Sequence, residues 1–326
     1  MILAGDLGGT KTLLGLFERD DPRPQPHLTR GYPTQEFDSF IAILETFARE
    51  IGERPVIEAA AVGVAGPIVD QHARLTNIEW DVSAAQIAQH LKVRRVALLN
   101  DLEAMATSVA VLEGDEVVVL QHGEPKKSGN AAVIAAGTGL GQAYLHRVNG
   151  RLLPVASEAG HADFAARTDR EFGLVRLLRD LYGRAEVEQV LSGPGLVNIH
   201  RLTHNGLACP AIEGVPPAEQ PAAISDAALS QQCGGCEEAL EIFVEAYGAE
   251  AGNLGLRGVA TAGVYVGGGI APKILPALEN GRFIQAFRAK APMAELVAAM
   301  PVSVIVKQDA GLLGAAIAAQ QLIAAD

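Results

Sequence analysis

The stretch MILAGDLGGTKTLLGLF, Met1–Phe17, decides the fold. An apolar run from Met1 to Ala4 delivers one carboxylate, Asp6. Two glycines and a threonine follow, and small and apolar residues then resume through Phe17. This reads as strand, tight turn, strand. Glycines in the turn let backbone N–H groups approach a ligand closely, Thr10 adds a hydroxyl donor, and Asp6 suits a hydrated Mg²⁺. The geometry fits an oligophosphate, although an isolated hairpin with a glycine turn has the same pattern.

The device recurs. From Ala131 the chain again reads strand, glycine turn, strand, with VIAAGTGLGQAYL at Val133–Leu145, and a third glycine turn, Gly267-Gly268-Gly269, follows the apolar stretch ending at Val266. Three such turns, with a carboxylate only in the first, predict a nucleotide held between two similarly built α/β lobes facing one cleft. Neither a G-x-x-x-x-G-K-[ST] loop nor a G-x-G-x-x-G opening a helix is present, which sets aside the two most familiar nucleotide folds. The expected division is a small domain of residues 1–109 plus 301–326 and a large domain of residues 110–300.

Around these turns the periodicity predicts a helix over Phe37–Ile51, a buried strand over Ile57–Val64 and a strand or turn at Thr76–Trp80. A helix opens at Ser83, and a strand at Arg94–Leu99 runs into Asn100-Asp101 and a helix over Leu102–Leu112. Beyond SEAGHADF at Ser157–Phe164, helices are expected at Thr168–Tyr182 and at Val187–His204, the latter interrupted at Ser192–Gly195. A small-residue helix, Asp309–Ile323, closes the chain as core. Asn100 and Asp101 lie where a strand's carboxyl end meets a helix start, the place where ligands gather in open α/β sheets. With Glu158, His161 and Glu188 they form a set of carboxylates, an amide and an imidazole suited to sugar hydroxyls, which both donate and accept. Taken singly, Asp101 also reads as a helix cap, Glu188 as a solvated helix charge and His161 as a core histidine.

Composition narrows the function classes. Lys plus Arg number 26 against 38 Asp plus Glu, a net charge of −12, and no basic run stands out, so no nucleic-acid surface is expected. Any phosphate is then held by backbone amides, helix N-termini and metal rather than by a cationic patch. The apolar runs are too short for a membrane span, and no leader segment precedes the first strand, which points to the cytoplasm. The three cysteines, Cys209, Cys233 and Cys236, fit a reducing compartment. Cys233-Gly-Gly-Cys236 has metal or redox spacing, but a closed zinc site needs four ligands and the sequence offers no second pair.

The set GDLGGTKT, LLNDLEAMA, AAGTGLG, SEAGHADF, VEQVLSGPGLVNI and VGGGIAP resembles the bacterial glucokinase family, within the sugar kinase, Hsp70 and actin superfamily. The resemblance spans nearly the whole chain, with the sections in the family's order. It implies two ribonuclease-H-like lobes, a duplicated actin-like ATPase fold, and ATP-dependent phosphorylation of glucose at the 6-hydroxyl, the entry to glycolysis. By the family pattern Asn100, Asp101, Glu158, His161 and Glu188 bind glucose, with Asp101 also the general base. Gly5, Asp6, Leu7, Gly8, Gly9, Thr10, Gly137, Thr138 and Gly139 line the phosphates, Asp6 holds Mg²⁺, and Gly267, Gly268 and Gly269 sit near the adenosine. A homodimer is also implied. Ala159 stands where a second glycine is common, and Lys11 where some members have Asn. A related family of repressors and kinases carries clustered cysteines just after its sugar-binding histidine. Ala162–Leu178 has none, so no structural zinc is expected. A repressor would need a DNA-binding segment ahead of the first turn, and an actin-like filament protein would not need SEAGH or Glu188. Another hexose as acceptor, ADP or polyphosphate as donor, and a non-catalytic sugar sensor remain open alternatives.

Overall fold

The computed structural model describes residues 1–52, 55–75 and 78–324. The chain divides into two units, Met1–Gly114 with Lys307–Asp326, and Asp115–Val306. Of the expected strand or turn at Thr76–Trp80, Thr76 and Asn77 lie outside the described residues.

In the first unit β1 (Ile2–Leu7), β2 (Lys11–Glu18) and β3 (Gln25–Pro33) form an antiparallel meander. A helix, α1 (Phe40–Ile51), opens on Ser39, whose hydroxyl accepts the Ala42 N–H. Next come β4 (Ala59–Val64), a three-stranded ribbon of β5 (Ile68–Val69), β6 (His72–Arg74) and β7 (Asp81–Ser83), and α2 (Ala84–Leu91) capped by Ser83. The strand β8 (Arg95–Asn100) passes without a loop into α3 (Asp101–Ser108). The sheet order is β3-β2-β1-β4-β8, with β4 parallel to both β1 and β8. Every residue of β4 is buried, as its Ala and Val run requires for a strand covered on both faces.

The second unit repeats this plan. After β9 (Val117–Gln121), β10 (Ala131–Ala136), β11 (Leu140–Val148) and β12 (Arg151–Ser157) form the second meander. Helices α4 (Asp169–Tyr182), α5 (Gly193–His204), α6 (Gln220–Leu229) and α7 (Gly234–Gly258) follow. Then come β13 (Gly263–Gly267), the short helices α8 (Leu275–Glu279), α9 (Arg282–Arg288) and α10 (Ala294–Ala298), and β14 (Val302–Ile305). The order is β12-β11-β10-β13-β14-β9, with β13 parallel to β10 and to β14. Removing the edge strand β9 leaves a meander of three and a parallel pair, the same connectivity as in the first unit. This is the duplicated ribonuclease-H-like plan.

The plan explains where the unit boundary falls. Val302–Ile305 occupies in the second sheet the place that β8 occupies in the first, so residues 301–306 belong to the second unit rather than the first. Residues 110–114 likewise stay with the first unit.

The terminal helix, Ala310–Ala324, is made of small and apolar residues because it lies against the first sheet and α3. Leu312, Ala315, Ala316 and Ala319 pack onto Ile2, Ala4, Ala59 and Ala61. A Cβ at Gly314 would overlap the Ala104 carbonyl, so glycine sets the helix spacing. The second unit is built around α7, where Phe243 and Tyr247 are fully buried. No helix among the described residues is long and apolar enough to cross a membrane.

Candidate active site

In the first unit the turn Gly8–Lys11 closes with the Gly8 N–H donating to the Lys11 carbonyl at 3.1 Å. It is braced by a residue that the motif does not contain, Thr34. Its N–H donates to the Thr10 carbonyl at 2.9 Å and its hydroxyl to the Gly8 carbonyl at 2.8 Å. That spends the one Thr34 hydroxyl proton, so Thr12 is the donor in the 2.8 Å contact between the two Oγ1 atoms. Both threonines are fully buried, and with them the turn is fixed from below.

Asp6, at the carboxyl end of β1, is lifted from 3.8 to about 6: burial disfavours its charge, and Asp101 and then Asp309 add like-charge repulsion. Asn100 is the helix cap. Its Oδ1 accepts the Leu102 N–H at 3.0 Å while its Nδ2 donates to the Gly66 carbonyl at 3.0 Å. Asp101 Oδ1 shares the Leu102 N–H at 2.8 Å. Asp101 therefore takes the first helical position and remains accessible to solvent. Surrounding protein still displaces enough bulk water to raise its pKa above the ordinary carboxylate value, which hydrogen bonds from the Leu102 and Asp101 backbones oppose.

In the second unit β12 delivers Glu158, and a single 3₁₀ turn, Ala159–His161, carries the imidazole. The His161 N–H donates to the Glu158 carbonyl at 3.0 Å. Residues 160–164 then run antiparallel to residues 185–188. Glu188 N–H donates to Gly160 O at 2.8 Å, Val187 N–H to Ala162 O at 3.0 Å and Phe164 N–H to Ala185 O at 3.0 Å. This pairing brings Glu158, His161 and Glu188 together although 27 and 30 positions of sequence numbering separate Glu188 from the other two. His161 is exposed and held through Nδ1, 3.0 Å from Glu186 Oε2, and the Arg184 guanidinium donates to its carbonyl. It is not a core histidine.

Glu188 does not lie on a helix. Residues 187–191 are turns, and Ser192 caps α5 by accepting the Gly195 N–H at 3.0 Å, so Ser-Gly-Pro-Gly starts the helix rather than interrupting it. Freed from a helix face, the Glu188 carboxylate reaches the second glycine turn, where Oε2 accepts the Leu140 N–H at 2.8 Å. The turn itself closes with Gly137 N–H on Gly139 O at 2.8 Å, and Gly193 N–H donates to Gly137 O at 2.8 Å. The third turn meets the second across Ala136: Gly268 has φ +84, and a Cβ there would overlap the Ala136 carbonyl. Beneath them lies the buried phenol of Tyr247. Its oxygen accepts the Ala136 N–H at 3.2 Å and is 3.3 Å from the Gly267 carbonyl. Thr34, Glu186 and Tyr247 thus support the turns and the imidazole, and only the pairing of distant segments reveals them.

The Cys233–Cys236 pair does not lack further donors: Cys209, His200 and His204 lie beside it.

Residues 3–322 match the glucokinase family. The chain belongs to the glucokinase family. It is 36% identical to the glucokinase of Nostoc sp. (strain PCC 7120) over 99% of both chains. The crystal structure of glucokinase from an Antarctic psychrotroph superposes on this glucokinase-family chain with a TM-score of 0.87, at 29% identity over 98% of both chains. A ROK family glucokinase from Streptomyces griseus, solved in complex with glucose and AMPPNP, shares the fold with a TM-score of 0.63 at 21% identity, over 98% of this chain and 99% of the other. Both units of this family member thus have the actin-like ATPase architecture that the motif order implies.

Proposed function

We propose that this protein transfers the γ-phosphoryl group of ATP to the 6-hydroxyl of glucose, as a cytoplasmic homodimer serving the entry of glucose into glycolysis. Family membership over residues 3–322 supports the reaction class. The observation that carries the role of Asp101 is its position: it follows the Asn100 cap at the β8–α3 junction, and although its Oδ1 shares the Leu102 N–H, its carboxylate stays accessible.

Phosphoryl transfer has a loose transition state, and the protein contributes mainly positioning and charge stabilisation. Asp101 accepts the hydrogen bond of the 6-hydroxyl, orients its oxygen toward the phosphorus and takes the proton as the new bond forms. Its raised pKa strengthens it as a base. Asn100, Glu158, His161 and Glu188 bind the remaining hydroxyls. Amides of the turns Gly5–Thr10 and Gly137–Gly139 take the phosphate oxygens, and Gly267–Gly269 supports the adenosine side.

The first unit fits a divalent cation. Asp6, Asp101 and Asp309 place like charges close enough to raise the Asp6 pKa, and a hard cation with oxygen ligands relieves that repulsion. Asp6 would hold Mg²⁺, which when bound neutralises charge on the transferred phosphate. Asp6 then keeps the metal and Asp101 the sugar.

A coupled assay across hexoses with ATP, ADP and polyphosphate tests the reading. Glucose with Mg²⁺ and ATP is expected to give the highest kcat/KM. A higher value for mannose, fructose or an N-acetylated hexosamine, or for another donor, would replace the assignment. Binding of glucose without turnover would make the protein a sensor.

A further inference from the structure

The second unit gathers every cysteine of the chain with two histidines at a place remote in sequence from the glycine turns. His200 and His204 are one helical turn apart near the C-terminal end of α5, Cys209 follows in the next loop, and Cys233 and Cys236 open α7. One donor atom from each of His200, His204, Cys209 and Cys236 lies within 4.8 Å of all the others. Cys209 Sγ is 3.7 Å from Cys236 Sγ and 3.9 Å from Cys233 Sγ, and His204 Nε2 is 3.3 Å from Cys233 Sγ.

These spacings are informative. Bonds of about 2.3 Å from zinc to sulfur and about 2.0–2.1 Å to nitrogen give a tetrahedron with S···S edges of about 3.8 Å and S···N edges of about 3.5 Å. A disulfide would require about 2.05 Å between sulfurs, and all three cysteines are free. The histidines are set for ligation. His204 Nδ1 is 3.1 Å from the His200 carbonyl, which can only accept, so Nδ1 carries the proton and Nε2 turns its lone pair toward Cys233. His200 is 4% exposed, and its Nε2 is buried with no hydrogen-bond partner. An orphan ring nitrogen among buried thiols is costly unless a ligand takes it.

We infer that this cluster holds one tetrahedral zinc ion, with Cys209 and Cys236 as its buried thiolates and the other positions filled from His200, His204 and Cys233. This reverses the expectation of no structural zinc. The sequence hides the site because its donors lie on three segments rather than in two C-x-x-C pairs. The ion would tie the end of α5 to the start of α7. Those helices support the nucleotide turns, α5 through Gly193 on Gly137 and α7 through Tyr247 on Ala136 and Gly267. The inference does not depend on the identity of the sugar or the phosphate donor.

Metal analysis of the full-length protein, reconstituted with zinc under reducing conditions and desalted, tests it. One zinc per chain is expected, with Cys209→Ser and Cys236→Ser each losing it, and with chelation lowering Tm reversibly. Cobalt(II) reconstitution of the unaltered protein keeps the test open if the variants misfold. Tetrahedral ligand-field bands with thiolate-to-cobalt charge transfer are expected. Zinc below about 0.1 equivalent after reconstitution would overturn the inference. So would an octahedral cobalt spectrum, or a thiol titration in denaturant finding one free cysteine instead of three.

Discussion

Gly139 and Glu188 are in direct opposition: a Cβ at position 139 would sit 2.6 Å from Glu188 Oε2, the oxygen that accepts the Leu140 N–H at 2.8 Å. The second glycine turn and a proposed sugar ligand are therefore one mechanical unit. Gly137, two residues earlier, has open space at its Cβ position.

Two alanine substitutions separate these roles. Gly139→Ala is expected to push the Glu188 carboxylate off the Leu140 amide and raise KM for glucose by about tenfold, the equivalent of about 1.4 kcal/mol. Gly137→Ala should leave glucose KM and Tm near wild type. Steady-state kinetics in both substrates checks this. Equal effects at the two positions would contradict the coupling.

Glu186 should act through His161, whose Nδ1 lies 3.0 Å from Glu186 Oε2. Glu186→Ala is expected to raise glucose KM by about three- to tenfold with a smaller change in kcat, as loss of one orienting hydrogen bond would. Glu186→Gln, which keeps an acceptor oxygen, should recover part of it. A fall in kcat with unchanged KM would point to a role in the chemical step instead.

The raised pKa of Asp6 makes a stability prediction for the metal-free protein. Asp6 ionises at about 6 when folded, against 3.8 for an ordinary aspartate. Between those values the folded chain holds more protons than the unfolded one, so stability falls as pH rises through the window. Above pH 6 the full penalty is present, on the order of 2–3 kcal/mol. Asp6→Asn in chelator should be more stable than wild type at pH 7.5 by up to that amount, with the difference closing toward pH 4. Denaturant melts at the two pH values test it, and a difference independent of pH would refute it. The same variant should lose its response to Mg²⁺.

Gly314 tests the packing of the terminal helix. A side chain there meets the Ala104 carbonyl and comes 3.2 Å from the Ser108 backbone nitrogen. Gly314→Ala is expected to cost about 3 kcal/mol or more, because backbone rather than a flexible side chain must yield. A thermal melt within a degree or two of wild type would contradict the close approach.

The pattern of these residues explains what was legible beforehand. Strand-turn-strand units are local, so GDLGGT and AAGTGLG declared the first hairpin of each meander, and Ser83 marked a helix start to within a residue, whereas the helix expected from Phe37 begins only at Phe40, after the Ser39 cap. Long-range pairing was not legible. Nothing local in Val302–Ile305 tells that it joins β13, and nothing near Glu188 tells that it pairs with Gly160. Ser-Gly-Pro-Gly looked like a break in a helix because apolar spacing continues on both sides, yet a capping serine followed by proline is a start. The cysteine cluster was missed for the same reason: its donors converge only after α5, the following loop and α7 are folded.

The central claim is that Asp101 is the base for the sugar hydroxyl, and Asp101→Asn tests it most directly. Asparagine keeps the shape and an oxygen for the Leu102 amide but cannot take a proton at neutral pH. Glucose affinity by calorimetry and turnover by a coupled assay should be measured on the same preparation. Glucose Kd is expected to stay within a few-fold of wild type while kcat falls by about 10²-fold or more. A variant that binds glucose normally and turns over near the wild-type rate would contradict the account.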